Sequence, residues 1–108
     1  MTIDHLRREI DRLDEKLVVL LNARAACALE IGRLKEVLGL EIYQPDRERD
    51  VLAHVRELNR GPLDDDAIAR LFERIIDEAR RLERVAKQEG HHAVPADEGT
   101  DGGPPWSS

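Results

Sequence analysis

The sequence predicts an all-α protein, a three-helix protomer with one long N-terminal helix, assembled as an intertwined homodimer. The first observation is a heptad. Ile3, Leu6, Ile10, Leu13, Leu17, Leu20, Cys27, Ile31, Leu34 and Leu38 recur at the 3-4 spacing of a helix whose apolar seam packs on other helices. The second is length. A helix from Ile3 to Leu38 would run about 54 Å at about 1.5 Å per residue, whereas a domain of this size has a radius of gyration near 13 Å. Such a helix overhangs its own fold, and a second copy of the chain is the simplest cover for its seam. The third is a pair of shorter amphipathic stretches downstream, each bounded by helix start and stop signals.

Each element has its punctuation. Thr2 is a suitable N-cap for the first helix, Asp4 lies in the first turn where the helix dipole favours an acid, and Gly39 is the natural stop. Gly32 is the weak point of the interior, costing about 1 kcal/mol relative to Ala, and it permits close approach of another backbone or a ligand. Leu40 to Gln44 reads as a short loop carrying the apolar pair Ile42 and Tyr43. Pro45 suits the first turn of a second helix reaching about Asn59, with Val51, Leu52, Val55 and Leu58 on one face. Asn59-Arg60-Gly61-Pro62 breaks it. Asp64 can cap a third helix whose apolar positions are Ile68, Leu71, Phe72, Ile75, Ile76, Ala79, Leu82, Val85 and Ala86, and which fades near Lys87. The domain is thus expected over residues 1–89. Residues 90–108, rich in Gly, Pro, Ser and acids and lacking a period, are expected to form a disordered acidic tail with no second domain.

Composition excludes several classes. At 108 residues there is at most one domain, with 41% hydrophobic and 37% charged residues. Four of the net −6 charges fall in residues 88–108, so the body is nearly balanced and gives no electrostatic case for nucleic acid. No apolar run of about 18 residues and no signal-peptide pattern is present, so the reading is cytoplasmic, with no membrane partner. The lone Cys27 sits on the seam as a small core residue rather than a nucleophile, and one cysteine makes no internal disulfide. His91 and His92 could bind a metal, but adjacent histidines in such a tail rarely do. No phosphate loop, metal-ligand spacing or nucleophile–base pair is evident.

Several charged residues fit poorly with plain solvation. Arg24 occupies a heptad position that should be apolar, and a guanidinium is costly to bury unpaired. It either snorkels to water or faces a pocket that holds an anion. Lys35, eleven residues on, lies on nearly the same stripe, about 16 Å further along the axis. It could equally be a solvated lysine near the helix end. Arg7 precedes Arg24 by seventeen residues, about 25 Å along the axis, so only a second, antiparallel chain could bring the two to one small ligand. Arg47 and Glu48 lean toward the buried side of the second helix, although Asp46 to Asp50 could also be a surface cluster of alternating sign. Glu83 ends the stripe Phe72, Ile76, Ala79. It is either an exposed partner of Lys87 at i, i+4 or a carboxyl at the mouth of an apolar site, where burial favours its protonated form.

Three runs in order, LRREIDRLDEKLVVLLNARAACALEIGRLK, IYQPDRERDVL and GPLDDDAIARLFERIIDEARRLE, resemble the all-helical (AroQ-type) chorismate mutases over roughly residues 3–87. The resemblance implies a cofactor-free isomerase that converts chorismate to prephenate on the route to phenylalanine and tyrosine. It also implies a homodimer with two active sites, each built from both chains. By motif, Arg24 would grip one substrate carboxylate and Arg7 of the partner chain the other. Lys35 and Glu83 would approach the ether oxygen, and Arg47 and Glu48 would line the site near the ring hydroxyl. Gln44 stands where relatives often have Asp, Ala79 where many have Ser, and Glu83 where some have Gln.

That set suits the chemistry the resemblance implies. The substrate is a dianion, and its rearrangement needs no acid, base or nucleophile. What accelerates it is holding the enolpyruvyl arm over the ring and stabilising negative charge on the ether oxygen as its C–O bond breaks. Arginine forks match carboxylates, and a lysine is a compact charge for an ether oxygen. Two other readings stand beside this one. An isochorismate-pyruvate lyase of the same fold would lack the acid that follows Arg47 here. A dimeric helical regulatory or interaction module would use these cations only for stability. A partner enzyme of the shikimate pathway is a further possibility the sequence leaves open.

Overall fold

The computed structural model describes residues 1–41 and 44–91, with side chains through Glu89. It consists of three helices: α1 (Ile3–Leu38), α2 (Pro45–Leu58) and α3 (Asp65–His91). The expected boundaries of α1 are met by the expected chemistry. The Thr2 hydroxyl accepts from the His5 amide at 3.1 Å. At the other end Gly39 takes φ 74°, and its amide and that of Leu40 reach back to the carbonyls of Glu36 and Lys35. α2 begins at Pro45, whose missing N–H costs nothing there. The Asp64 carboxylate accepts from the Ala67 amide at 2.7 Å and so caps α3. α3 continues to His91, four residues beyond the expected fade at Lys87. The pair Ile42–Tyr43 and the stretch from His92 onward lie outside the described residues.

α3 is the common packing partner. It lies against both α1 and α2, whereas α1 and α2 make no close approach to each other among the described residues. α2 and α3 form an antiparallel hairpin, because Glu48 meets Arg80 while Arg56 meets Asp66. α1 and α3 run in the same sense, because Arg24 lies over Phe72 while Gly32 lies beside Glu83. Asn59 holds the hairpin's tip. Its amide donates to the Leu63 carbonyl and to Asp65, both at 2.7 Å, and its side-chain oxygen accepts from the Gly61 amide at 3.2 Å.

The core of one chain is very small. Among the described residues the buried apolar side chains are Val55, Ala69 and Ala79, and no side chain is fully enclosed. The body measures 53 × 34 × 17 Å with a radius of gyration of 17.3 Å, well above the roughly 13 Å of a compact domain this long. Residues 1–22 are exposed throughout, and the seam residues Ile3 (67%), Ile10 (54%), Leu17 (53%) and Leu20 (64%) face outward. Cys27 is exposed as well, so within the chain it is not the small core residue expected. The reason is geometric: α3 covers the C-terminal half of α1 from another side and leaves the heptad seam open.

Asn59→Ala should cost about 1–2 kcal/mol, since it strands the turn's polar groups where three hydrogen bonds now converge. Urea unfolding at fixed protein concentration checks this, and an unchanged midpoint would show that the tip is held by other means.

Candidate active site

The candidate site lies where Gly32 of α1 meets Glu83 of α3. Gly32 is the buried residue of α1. A methyl placed on it would lie 3.1 Å from Glu83 Oε2, 3.4 Å from Cδ and 3.5 Å from Cγ. The Glu83 side chain therefore runs across the bare α1 backbone. Burial there pushes its carboxyl above the ordinary range, and the charges of Lys35 on α1 and Arg80 on α3 act against that shift. Lys35 is half-buried one turn from Gly32 rather than fully solvated. So Glu83 faces Lys35 across the helix interface, and Lys87 forms no ion pair with it among the described residues.

Arg80 is the residue that the sequence reading missed. It pairs with the Glu48 carboxylate of α2 and lies 3.6 Å from Asp77. Both Arg80 and Glu48 are about two-thirds shielded. The available signal was its phase: Arg80 follows Ile76 by four and precedes Glu83 by three, so it shares their face of α3. Through it the carboxylate of Glu48 on α2 and the carboxyl of Glu83 on α3 belong to one charge cluster. Of the adjacent pair, Glu48 does lean inward, but Arg47 is exposed. The alternating-sign surface cluster is partly real too, since Arg49 pairs with Asp46.

Arg24 is half-buried, with its guanidinium 6.0 Å from the centre of the Phe72 ring. No carboxylate among the described residues pairs with it. An aromatic face takes the place of an acid under this cation, which leaves its N–H donors available to an anion. Gln44 is exposed at the N-terminus of α2, and its carbonyl accepts from the amides of Arg47 at 3.1 Å and Glu48 at 3.3 Å. Ala79 is buried at 8% exposure. Arg7 is exposed and, on a continuous α1, stands about 25 Å from Arg24, so one chain does not bring it to the others.

The arrangement gathers Arg24, Lys35, Glu83, Arg80 and Glu48 along the faces that α3 shares with its two neighbours. Cations face a carboxyl that burial favours in its protonated, donating form. Among the described residues no group of His, Cys, Asp or Glu could hold a metal ion, and no helix is long and apolar enough to cross a membrane. Fold and charge cluster together define a small all-helical protein in which Arg24, Lys35 and Arg80 lie along the faces of α3. Residues 6–84 match the chorismate mutase type II family, and the chain belongs to that family.

Individual relatives agree. The chain is 45% identical over 87 residues to a bifunctional chorismate mutase/prephenate dehydratase of Pseudomonas aeruginosa, covering 76% of this chain and 24% of that protein. It therefore spans about a quarter of the length of that relative. It is 26% identical to a chorismate mutase of Methanocaldococcus jannaschii, covering 78% of this chain and 86% of that one. A solved structure of chorismate mutase from Thermus thermophilus superposes with a TM-score of 0.74 at 40% identity, covering 76% of this chain and 93% of that one.

The raised pKa of Glu83 has a definite sign for stability. The folded chain holds this proton more tightly than the unfolded chain, so stability falls as pH rises through the interval between the two pKa values. Glu83→Gln should remove that component of the pH dependence. Lys35→Met should raise the Glu83 titration further, because it deletes a charge that lowers it. Unfolding midpoints measured across pH read the first and carboxyl NMR titration the second, and a wild-type Glu83 midpoint in the ordinary range would contradict the burial described.

Proposed function

We propose that the chain is a chorismate mutase, converting chorismate to prephenate without a cofactor, on the route to phenylalanine and tyrosine. The observation that carries this is the meeting of Lys35 and Glu83 at Gly32, with Arg24 available on the same side of α1. Family membership over residues 6–84 supports it. In this reading Arg24 grips a substrate carboxylate, while Lys35 and protonated Glu83 stabilise charge growing on the ether oxygen. Glu48 lies near the ring hydroxyl and is steadied by Arg80, with Arg47 and Gln44 at that end. Buried Ala79 forms part of the floor without supplying a polar contact.

The active unit is a homodimer. The three buried apolar side chains among the described residues are few for a stable fold, and the outward-facing seam of α1 is the surface a second copy would cover. In an antiparallel pairing Arg7 of each chain reaches the other chain's Arg24 and grips the second carboxylate. Residues 1–89 form the catalytic domain, and the acidic segment after them takes no part in it.

Loss of chorismate absorbance with purified protein, with prephenate identified afterwards, tests the reaction. Turnover should fall as pH rises through the Glu83 pKa, and Glu83→Gln should flatten that profile because an amide donates at any ordinary pH. Superimposable profiles would remove Glu83 from the ether oxygen, and pyruvate release from isochorismate without prephenate formation would favour the lyase instead.

Assembly is tested by complementation. Arg7→Ala and Arg24→Ala homodimers should each be nearly inactive, and mixing them should restore part of the activity, since a heterodimer holds one site with both arginines. Verified heterodimers as inactive as their parents, or a fully active monomer in sedimentation, would refute shared sites.

A further inference from the structure

Gly32, Gly39 and Gly61 have different reasons to be glycine. Gly39 and Gly61 sit at φ 74° and 77°, where side chains are strained, and an added Cβ at either would meet nothing within 4 Å. Gly32 is the opposite case. It lies in mid-helix with no positive φ, and glycine there sacrifices helix propensity. What distinguishes it is its neighbour, because the Glu83 side chain occupies the space that a Cβ would need.

We infer that Gly32 is a positioning residue for the proposed reaction: its missing side chain lets the Glu83 carboxyl rest against the α1 backbone, beside Lys35. This rests on the reading of Glu83 as the group that meets the ether oxygen. The groups that bear on Glu83 are Lys35 from α1 and Arg80 from α3, with Glu48 of α2 bound to that arginine. A methyl at position 32 would push against the far end of a flexible side chain rather than against backbone. The carboxyl would yield and the helices would stay packed. The displacement would be a few tenths of an ångström or more, away from α1 and from Lys35, in a reaction where small misplacements are costly.

Gly32→Ala tests this with two readouts. Turnover should drop by about tenfold or more, with KM changed by less than about threefold, since the loss falls on a contact made in the transition state. The Glu83 carboxyl titration should shift from its wild-type midpoint, while the unfolding midpoint holds or rises because alanine favours the helix. In a Glu83→Ala background the same Gly32→Ala change should alter turnover by less than about twofold, because the two effects are not additive when one acts through the other. An unchanged titration and turnover would overturn the inference. So would a sharp fall in the unfolding midpoint, which would mean that the helix packing gave way instead of the carboxyl. Equal losses in both backgrounds would also overturn it. If the wild type did not consume chorismate, the proposed function would fail, yet the titration would still decide whether Gly32 seats Glu83.

Discussion

The packing of α3 against two helices that do not touch each other is what the rest of the protomer depends on. α3 is the most strongly sided of the three. Phe72, Ile76, Ala79, Arg80 and Glu83 follow one another on the faces it offers its neighbours, and the buried Ala69 and Ala79 belong to it. Small residues there let the helices approach closely enough for a glutamate to lie on a glycine. The same closeness shields Arg80 and Glu48 enough for their pairing to matter, whereas the exposed pairs on α1 contribute little.

This placement gives the charged residues their meaning. Arg24, a break in an apolar seam, becomes a half-buried cation over a ring. Lys35 and Glu83 become opposing groups across an interface. Proximity to a cation and burial pull the carboxyl's proton affinity in opposite directions, and burial has the larger effect. The outcome is a carboxyl that holds its proton more tightly than an exposed glutamate does, beside the Lys35 side chain. The proposed rearrangement would be aided by a hydrogen-bond donor there, because its transition state gathers negative charge on one oxygen without transferring a proton.

Much of this was legible in the sequence. Thr2, Gly39, Pro45 and Asp64 marked the helix ends because each carries its own local chemistry. The stripe through Phe72, Ile76, Ala79 and Glu83 was readable because helical phase is a property of spacing alone. The C-terminal limit of α3 was not, because Gly90 reads as a stop while the helix runs one residue past it. Cys27 was misplaced because a heptad shows which side of α1 is apolar but not which chain covers it. Arg80 escaped notice for a related reason. Its partner, Glu48, lies 32 positions earlier on another helix, and spacing rules reach only three or four residues along the same one. The contact between Gly32 and Glu83 spans 51 positions; the glycine advertised a close approach without saying to what.

The uncovered first half of α1 has a thermodynamic consequence. In the proposed dimer most apolar burial happens between chains, so folding and association become a single equilibrium. Apparent stability then depends on how much protein is present, and the melting temperature climbs with concentration. A substitution on the seam would act as a change in dissociation constant more than as a change in the fold of an isolated chain. Because each site would be completed by the partner, dilution would remove catalytic capacity and structure together, and substrate binding would strengthen the assembly by mass action.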